Sequence, residues 1–374
     1  MGIDRLALAG PRFCVAAART NAKPGGRGFA TGVRACFLPE WGRVHLTWLE
    51  RAWYSTSAWV WPLLPLAGLF CLVVQVRRAA YRGGVLLSHN LPVPVIVVGN
   101  LTVGGTGKTP LVIWLSQFLL GLGFQPGIVI RGYRGEASRW PLLVGQDSDP
   151  GEVGDEAVLL ARRTRCPVMA GPQRTLSGQR LIERFGCDII LSDDGLQHYP
   201  LSRDLEILVI DGQRRFGNGH CLPAGPLREP HSRLTEVDMR VCNGPGSSAR
   251  EFEMRLVPDK LVNLRDPLTV KRLGDFQDER VAAVAGIGNP QRFFDLLREQ
   301  AITATPYAYP DHYRFARTDM AHWRERPVIM TEKDAVKCEA FATEDLWYLE
   351  VRAELGAPFT HRLRRAVKEF KHDG

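Results

Sequence analysis

The stretch VGNLTVGGTGKTP, residues 98–110, constrains the fold of this chain more than any other. It ends a β-branched run typical of a buried strand, and the apolar residues 110–120 after it predict a helix. In that setting, glycines let backbone N–H groups crowd a polyphosphate, a lysine reaches the outer phosphates and a threonine hydroxyl reaches Mg²⁺. The predicted phosphate-binding loop consists of Thr102, Val103, Gly104, Gly105, Thr106, Gly107, Lys108 and Thr109.

Two positions in this loop leave alternatives open. Thr102 stands where the general pattern G-x-x-x-x-G-K-[ST] has glycine, so an ordinary glycine turn is the alternative interpretation. Val103 stands where a related loop of partner-regulated ATPases carries a second lysine. Val103 therefore disfavours, without excluding, a membrane-tethered P-loop ATPase switch that regulates a protein partner.

Strand and helix patterns alternate along the rest of the chain. Strands are predicted over residues 127–130, 167–170, 188–191, 205–210, 281–288 and 327–330. Helices are predicted over residues 155–163, 173–185, 290–299, 332–339 and 358–371. This alternation predicts an α/β fold: a P-loop NTPase-like parallel sheet with helices on both faces, a smaller α/β C-terminal domain and an N-terminal membrane helix.

We expect five divisions along the 374 residues. They are a disordered basic tail over 1–43, a membrane-anchor segment over 44–88, a P-loop domain over 89–245, a linker over 246–280 and a C-terminal domain over 281–374.

The positive charge of the chain is local. The net charge is +8, and residues 1–90 hold eleven Arg or Lys against three acidic residues, so the remainder is balanced. A neutral catalytic region argues against nucleic acid as a partner, and basic residues flanking an apolar segment favour an anionic membrane surface.

Residues 58–76 are nineteen residues without a charge, near the minimum length for a helix that crosses a bilayer. Pro62 and Pro65 disfavour a straight span, and a buried core helix of a soluble domain is the alternative. An interfacial aromatic belt is predicted from Trp53, Tyr54, Trp59 and Trp61. The arginines that follow the segment predict that the next domain is cytoplasmic.

Two pairs of adjacent carboxylates are candidates for chemistry. Asp193 and Asp194 end an apolar strand, where a nucleotide-binding sheet holds its metal, although Asp-Asp-Gly is also a turn pattern. Asp155 and Glu156 begin a predicted helix, where they either complement the helix dipole or act as base or metal ligand. The residues alone do not decide between these roles.

Three further motifs carry less information. His312 lies beside Asp311 in a predicted loop, and a lone histidine is more often structural than catalytic. TEKDAVK, residues 331–337, is typical of a capped helix start. GNGHCLPAGPLRE, residues 217–229, predicts a rigid loop for an anionic ligand, with Arg228 near its end.

Together these segments resemble the tetraacyldisaccharide 4'-kinase family of lipid A biosynthesis, over about residues 48–364. The resemblance depends on seven motifs in order: VGNLTVGGTGKTP, IRGYRG, EVGDEA, SDDGLQH, GNGHCLPAGPLRE, YPDHYRF and MTEKDAVK. Thr102 is usual for that family. Arg134 in IRGYRG stands where the family leads us to expect glycine.

The resemblance implies a P-loop kinase that transfers the γ-phosphate of ATP, with Mg²⁺, to an acylated glucosamine disaccharide 1-phosphate lipid. By similarity, Lys108 and Thr109 serve the phosphates and Mg²⁺, and the metal is supported by Glu156, Asp193 and Asp194. Asp155 and His312 match the catalytic pair that accepts the proton of the sugar hydroxyl. Candidate substrate contacts are Arg131, Tyr133, Arg174 and Arg228. We expect a monomer at the cytoplasmic face of the bacterial inner membrane.

Overall fold

The computed structural model of the chain describes residues 48–55, 58–245 and 248–370. The predicted basic tail and the side chain of Trp59 lie outside this part. The helices are α1 (Trp48–Trp53), α2 (Leu64–Arg82), α3 (Lys108–Gly121), α4 (Pro150–Val153), α5 (Asp155–Arg163), α6 (Arg174–Phe185), α7 (Pro290–Glu299), α8 (Glu332–Ala335) and α9 (Ala357–Phe370). Short 3₁₀ helices lie at Ala58–Leu63, His231–Thr235, Leu273–Phe276, Arg317–Ala321 and Glu339–Phe341.

The strands form one sheet. They are β1 (Val95–Gly99), β2 (Pro126–Ile130), β3 (Leu142–Val144), β4 (Val168–Ala170), β5 (Ile189–Ser192), β6 (Leu205–Asp211), β7 (Met239–Asn243), β8 (Phe252–Asn263), β9 (Val270–Lys271), β10 (Arg280–Ala285), β11 (Thr303–Ala308), β12 (Val328–Thr331) and β13 (Leu346–Leu355). Their order is β11-β10-β12-β13-β8-β7-β6-β1-β5-β2-β4-β3, and β9 pairs with β8 beside this path.

The sheet consists of two parallel halves that meet at an antiparallel pair. The first half runs from β8 through β1 to β4, with β3 antiparallel at its edge. The second half contains β13, β12, β10 and β11. Because β8 and β13 are antiparallel, the strands of the two halves run in opposite directions.

The stagger of the halves along β8 brings their carboxyl ends face to face. The end of β7 pairs with β8 at Met254, whereas the end of β12 lies opposite Leu349 of β13, which pairs with Leu261 of β8. Those seven residues of strand correspond to about 23 Å. Since loops that bind ligands follow the carboxyl ends of parallel strands, both sets of loops border one cleft, whose floor is the β8–β13 ribbon.

Helices cover both faces of the first half. On one face, α3, α5 and α9 pack against the sheet through Leu115, Leu160 and Leu363, all of which are fully buried. On the other face, α6 packs through Leu181, and Phe70 and Cys71 of α2 join the same cluster. The predicted strands correspond to β2, β4, β5 and β6 and the predicted helices to α3, α5 and α6, whereas β3, β7 and α4 were not predicted.

Both faces of the second half of the sheet are also covered, but its core is smaller. Phe293 and Leu297 of α7 cover one face of β10, and Trp323 and Phe315 cover the other. β8 lies inside the segment predicted to be a linker, where it pairs with both β7 and β13. The division into separate domains stays a prediction, although both halves share one sheet.

Helix α2 is the candidate anchor. Together with the preceding 3₁₀ turn, the span Val60–Arg82 is, among the described residues, the one helix long and apolar enough to cross a membrane. One face packs on the protein: Ala67 is buried, and Arg78 forms an ion pair with Glu236. The opposite face exposes Leu66, Leu69, Leu72, Val73 and Val76.

The predicted aromatic belt is wrong for Trp53. Its side chain is buried, and its indole N–H donates to the carbonyl of Pro223 at 2.9 Å. Tyr54 contacts the guanidinium of Arg214 at 5.2 Å from the ring centre. Trp61 is 71% exposed, as an interfacial residue would be. These aromatic residues are near one another in sequence, but Trp53 belongs to α1 and Trp61 to the 3₁₀ helix at Ala58–Leu63, and their surroundings differ.

Candidate active site

The phosphate-binding loop connects β1 to α3. Gly107 lies at the N-terminus of α3 with φ +97°, and a Cβ there would lie 2.3 Å from Nδ2 of Asn243. Glycine is therefore required by both its backbone conformation and the close approach of Asn243, which donates to the carbonyl of Thr106 at 2.9 Å. Lys108 Nζ lies 3.3 Å from Oδ1 of Asn100 at the end of β1.

The 217–229 loop braces the phosphate-binding loop from outside. Val103 N–H donates to the carbonyl of Pro226 at 2.9 Å, and Arg228 N–H donates to that of Leu101 at 2.7 Å. Thr102 forms an isolated antiparallel bridge with Leu227. Thr102 therefore takes part in a short strand-like contact, which does not require the glycine of the general pattern.

Asp193 and Asp194 follow β5, next to β1 in the sheet, but their environments differ. Asp193 is 1% exposed, and its Oδ2 has no hydrogen-bond partner in the described part of the chain. Burial and the charge of Glu156 raise its pKa. Asp194 contacts Lys108 at 3.5 Å and Arg228 at 3.1 Å. Burial alone would raise the pKa of Asp194, but these cations outweigh it and lower that pKa.

The oxygen atoms here fit Mg²⁺ in a site completed by nucleotide phosphates. Within the described ranges, no three His, Cys, Asp or Glu side chains are grouped so that they could hold a metal ion. Mg²⁺ commonly takes one or two carboxylates together with substrate phosphates and water. The orphaned Oδ2 of Asp193 and the hydroxyl of Thr109, at the start of α3, are donors of this kind.

Asp155 and His312 meet, although 157 positions separate them in sequence. Nδ1 of His312 lies 3.2 Å from Oδ2 of Asp155, the first residue of α5. Burial would raise the pKa of Asp155, but the hydrogen bond from His312 and the charge of Lys333 lower it to about 2. His312 has φ +59°, which is uncommon for a residue with a side chain and is often associated with functional sites.

Lys333 was not predicted from sequence. Its ammonium lies 3.0 Å from Glu156 Oε1, 3.3 Å from Asp311 Oδ1 and 3.3 Å from His312 Nε2. Burial would lower the pKa of Lys333, but the carboxylates of Glu156 and Asp155 raise it above its usual range. Its position two residues after β12, at a carboxyl end of the parallel sheet, was the signal that could have identified it.

The predicted substrate residues have different surroundings. Arg131 is exposed, and the Tyr133 ring lies 5.2 Å from the His312 ring. Arg228 bonds Asp194, as described above. Arg174 is 2% exposed and donates to Ser192 Oγ at 3.2 Å and to the Asp194 carbonyl at 2.9 Å. Burial lowers its pKa to about 10. Arg174 therefore supports the Asp193–Asp194 turn.

Arg134 has the backbone conformation that favours glycine. Its φ is +61°, in agreement with the glycine expected there from the resemblance. Its guanidinium donates to the carbonyl of His312 at 3.2 Å, so the IRGYRG loop contacts the backbone of the candidate base.

A cavity of about 590 Å³ lies between the two sets of loops. Its lining includes residues of the phosphate-binding loop, the β8–β13 ribbon, the start of α7 and the start of α8, among them Lys108, Thr109, Glu156, Gly288 and Lys333. A Cβ on Gly288 would lie 2.5 Å from the backbone nitrogen of Gly105, so the two halves approach each other closely here. Lys333 connects this cavity to the Asp155–His312 pair.

Comparisons with known proteins identify the family of this chain. A family model described as "Tetraacyldisaccharide-1-P 4'-kinase" matches residues 59–368. The "Tetraacyldisaccharide 4'-kinase" of Nitrosococcus oceani is 53% identical over 309 residues, which cover 83% of this chain and 91% of the relative. That of Tolumonas auensis is 47% identical over 326 residues, which cover 87% of this chain and 98% of the relative.

A solved structure is similar as well. The crystal structure of LpxK from Aquifex aeolicus in complex with ATP matches with a TM-score of 0.69 and 28% identity. The match covers 82% of this chain and 99% of that chain. With a family match that spans most of the sequence and relatives aligned over nearly their full length, this chain belongs to the tetraacyldisaccharide 4'-kinase family.

Proposed function

We propose that this ATP-dependent kinase phosphorylates the 4'-hydroxyl of an acylated glucosamine disaccharide 1-phosphate, giving lipid IVA in lipid A biosynthesis. The observation that carries the proposal is the contact of the Asp155–His312 pair with Lys333, because Lys333 lines the same cavity as Lys108. Through Lys333 the candidate base is thus linked to the cavity that the phosphate-binding loop borders, and transfer to a hydroxyl requires such proximity.

In the proposed reaction, the 4'-oxygen of the sugar attacks the γ-phosphorus of ATP. The new O–P bond forms while the bond to the bridging β–γ oxygen breaks, and ADP leaves. The hydroxyl proton passes to Nε2 of His312, while Nδ1–H donates to the Asp155 carboxylate. A positioned base of this kind contributes about 10²- to 10⁴-fold.

The remaining residues align and neutralise the phosphates. Lys108 and the backbone of Gly104, Gly105 and Gly107 hold the polyphosphate at the start of α3. Thr109, Asp193, Asp194 and Glu156 are the proposed support of Mg²⁺, which when bound would offset the charge of the β- and γ-oxygens. Because Asp194 bonds Lys108 and Arg228, its role includes holding these two cations in place.

Membrane association of the enzyme follows from helix α2 in this proposal. An acylated substrate stays in the bilayer, and α2 exposes an apolar face flanked by Arg77 and Arg82 while its other face packs on the protein. A helix with this division is suited to insertion at an interface. The arginines support a position at the cytoplasmic face of the inner membrane, and we propose that the enzyme acts there as a monomer.

The activity is tested with labelled ATP and the acylated disaccharide 1-phosphate in mixed micelles. We expect label in the lipid with the unmodified chain and none above background with Lys108→Ala. ATP consumption without the lipid should be negligible. Rapid ATP loss without acceptor, and no labelled lipid, would instead indicate an ATPase.

The membrane contact is tested by vesicle flotation of Leu69→Glu, with Leu268→Glu as the control. Both leucines are exposed, at 59% and 93%, but Leu268 lies between β8 and β9. Only Leu69→Glu should reduce binding to anionic vesicles. Equal binding by both variants would contradict the assignment of α2.

A further inference from the structure

Lys333 is held in place from two sides by buried carboxylates. Its neighbour Glu332 forms an ion pair with Arg163 at the end of α5. Its other neighbour, Asp334, is fully buried and accepts from the N–H of Gly286 at 2.8 Å and from the hydroxyl of Thr331 at 2.6 Å. The backbone on both sides of Lys333 is therefore fixed to separate elements, while its own side chain extends to the cavity.

The contacts of Lys333 join the acceptor side of the site to the nucleotide side. His312 and Asp311 belong to the loop after β11, whereas Glu156 belongs to α5 and lines the cavity with Lys108. The ammonium group thus lies between the candidate base and the phosphate-binding loop. In the proposed reaction, the phosphoryl group would pass from ATP to the sugar between these same elements.

Lys337 is a contrasting lysine on the same segment. Its ammonium is similarly buried and pairs with Asp334 at 2.6 Å, and its side chain is 10% exposed against 14% for Lys333. Lys337 does not line the 590 Å³ cavity among the described residues. An ion pair that serves only to hold α8 would resemble Lys337, and Lys333 differs from it by opening onto the cavity.

The contact with Nε2 adds a chemical constraint. Nε2 of His312 cannot accept a hydrogen bond from Lys333 and take the proton of the sugar hydroxyl at the same time. The lysine must therefore exchange Nε2 for another acceptor before proton transfer. The oxygens of a γ-phosphoryl group are strong acceptors for an ammonium group, and they would occupy the cavity that Lys333 lines.

We propose that Lys333 is a catalytic residue whose ammonium contacts the γ-phosphoryl oxygens during transfer. Lys108 acts from the side of the leaving ADP and Lys333 from the side of the sugar. When the ammonium of Lys333 bonds the γ-phosphoryl oxygens instead of Nε2, Nε2 of His312 becomes free to accept the proton of the sugar hydroxyl. This inference depends on the proposed function for the identity of the acceptor, but the contact with the nucleotide can be measured without lipid.

The test compares nucleotides with and without a γ-phosphate. The affinities of Mg²⁺·ADP and of the non-hydrolysable β,γ-methylene analogue of ATP are measured by calorimetry for the unmodified chain, Lys333→Met, Lys333→Arg and Lys337→Met. We expect Lys333→Met to weaken the affinity for the ATP analogue about 10-fold or more. The affinity for ADP should change by less than twofold. Lys333→Arg should retain part of the analogue affinity, because it retains the charge.

Lys337→Met should lower the thermal midpoint without changing the ratio of the two affinities. In the lipid assay, Lys333→Met should reduce kcat about 10²- to 10³-fold, as expected for loss of one donor to developing charge, with a small change in the KM of the lipid. An unchanged affinity ratio in a folded Lys333→Met protein would overturn the proposal. Failure of the unmodified chain to label lipid would overturn the proposed function but not the nucleotide contact.

Discussion

The two pairs of adjacent carboxylates differ in what balances their charge. Asp193 and Asp194 follow the same strand, yet Asp194 contacts two cations and Asp193 has an orphaned oxygen among the described residues. In the second pair both members have partners, since Asp155 bonds His312 and Glu156 bonds Lys333. Adjacent residues therefore acquire different partners from the loops that reach them.

The two carboxylate pairs also differ in which half of the sheet supplies their partners. At the end of β5, Asp194 contacts cations of its own half of the sheet, Lys108 and Arg228. The pair at the start of α5 depends on residues of the other half, His312 and Lys333. The first pair can be completed within one half, whereas the second exists only where the two halves meet.

The largest expected effect comes from breaking the pair that joins the halves. His312→Ala should reduce kcat about 10²- to 10⁴-fold, because the proposed base is lost. Asp155→Asn should reduce kcat by a similar order, since the imidazole loses the group that orients it. The double variant should be little worse than either single one, because groups that act as a unit are not additive. Steady-state kinetics under saturating ATP and lipid measure these effects. Full activity of Asp155→Asn would show that Asp155 and His312 do not act together.

Substitutions of Asp193 and of Asp194 should have different effects: the first mainly on Mg²⁺ dependence and the second mainly on stability. Asp193→Asn removes a buried charge without an ion pair, so it should cost little stability but raise the Mg²⁺ concentration for half-maximal activity about 10- to 100-fold. Asp194→Asn should lower the free energy of unfolding by about 1 to 2 kcal/mol, since Lys108 and Arg228 lose their carboxylate. Mg²⁺ titrations and urea unfolding of both variants decide this. Equal Mg²⁺ dependence and equal unfolding free energies of the two variants would contradict the different roles of Asp193 and Asp194.

The pKa of Asp155 predicts a smaller, pH-dependent effect. A carboxyl whose pKa falls from 3.8 to about 2 on folding stabilises the folded state by about 2 kcal/mol when it is ionised. That contribution is complete above the unfolded pKa and is lost as pH falls from about 4 to about 2. The difference in unfolding free energy between the unmodified chain and Asp155→Asn should be constant from pH 5 to 7 and shrink below pH 4. Urea unfolding across this range tests it, and a difference that is as large at pH 2.5 as at pH 6 would refute the assigned pKa.

Much of the nucleotide side could be predicted from sequence because its signals are local. The phosphate-binding loop, α5 and the strand before Asp193 each carry a pattern within about fifteen residues. The 217–229 loop was also predicted to be rigid, and its hydrogen bonds to residues 101 and 103 support that prediction without testing it.

Features that depend on distant partners were not predicted. The segment that contains Lys333 has the sequence pattern of an ordinary helix start. Only its contacts with Glu156 and His312 indicate a function for Lys333. Strand β8 reads as a charged linker because it exposes much of its surface, while its pairing with β13 depends on residues 80 or more positions away. Trp53 looks interfacial until its contact with Pro223 is known.

The 217–229 loop has a consequence for the proposed membrane contact. The same thirteen residues receive the Trp53 indole, lie against Cys71 of α2 through Cys221, and carry the arginine that pairs with Asp194. A helix seated in lipid would therefore fix the tilt of the phosphate-binding loop with respect to the plane of the lipid headgroups. Turnover would then depend on the angle at which the protein sits, and a membrane that forces α2 to rotate would slow the kinase without altering a single ligand contact.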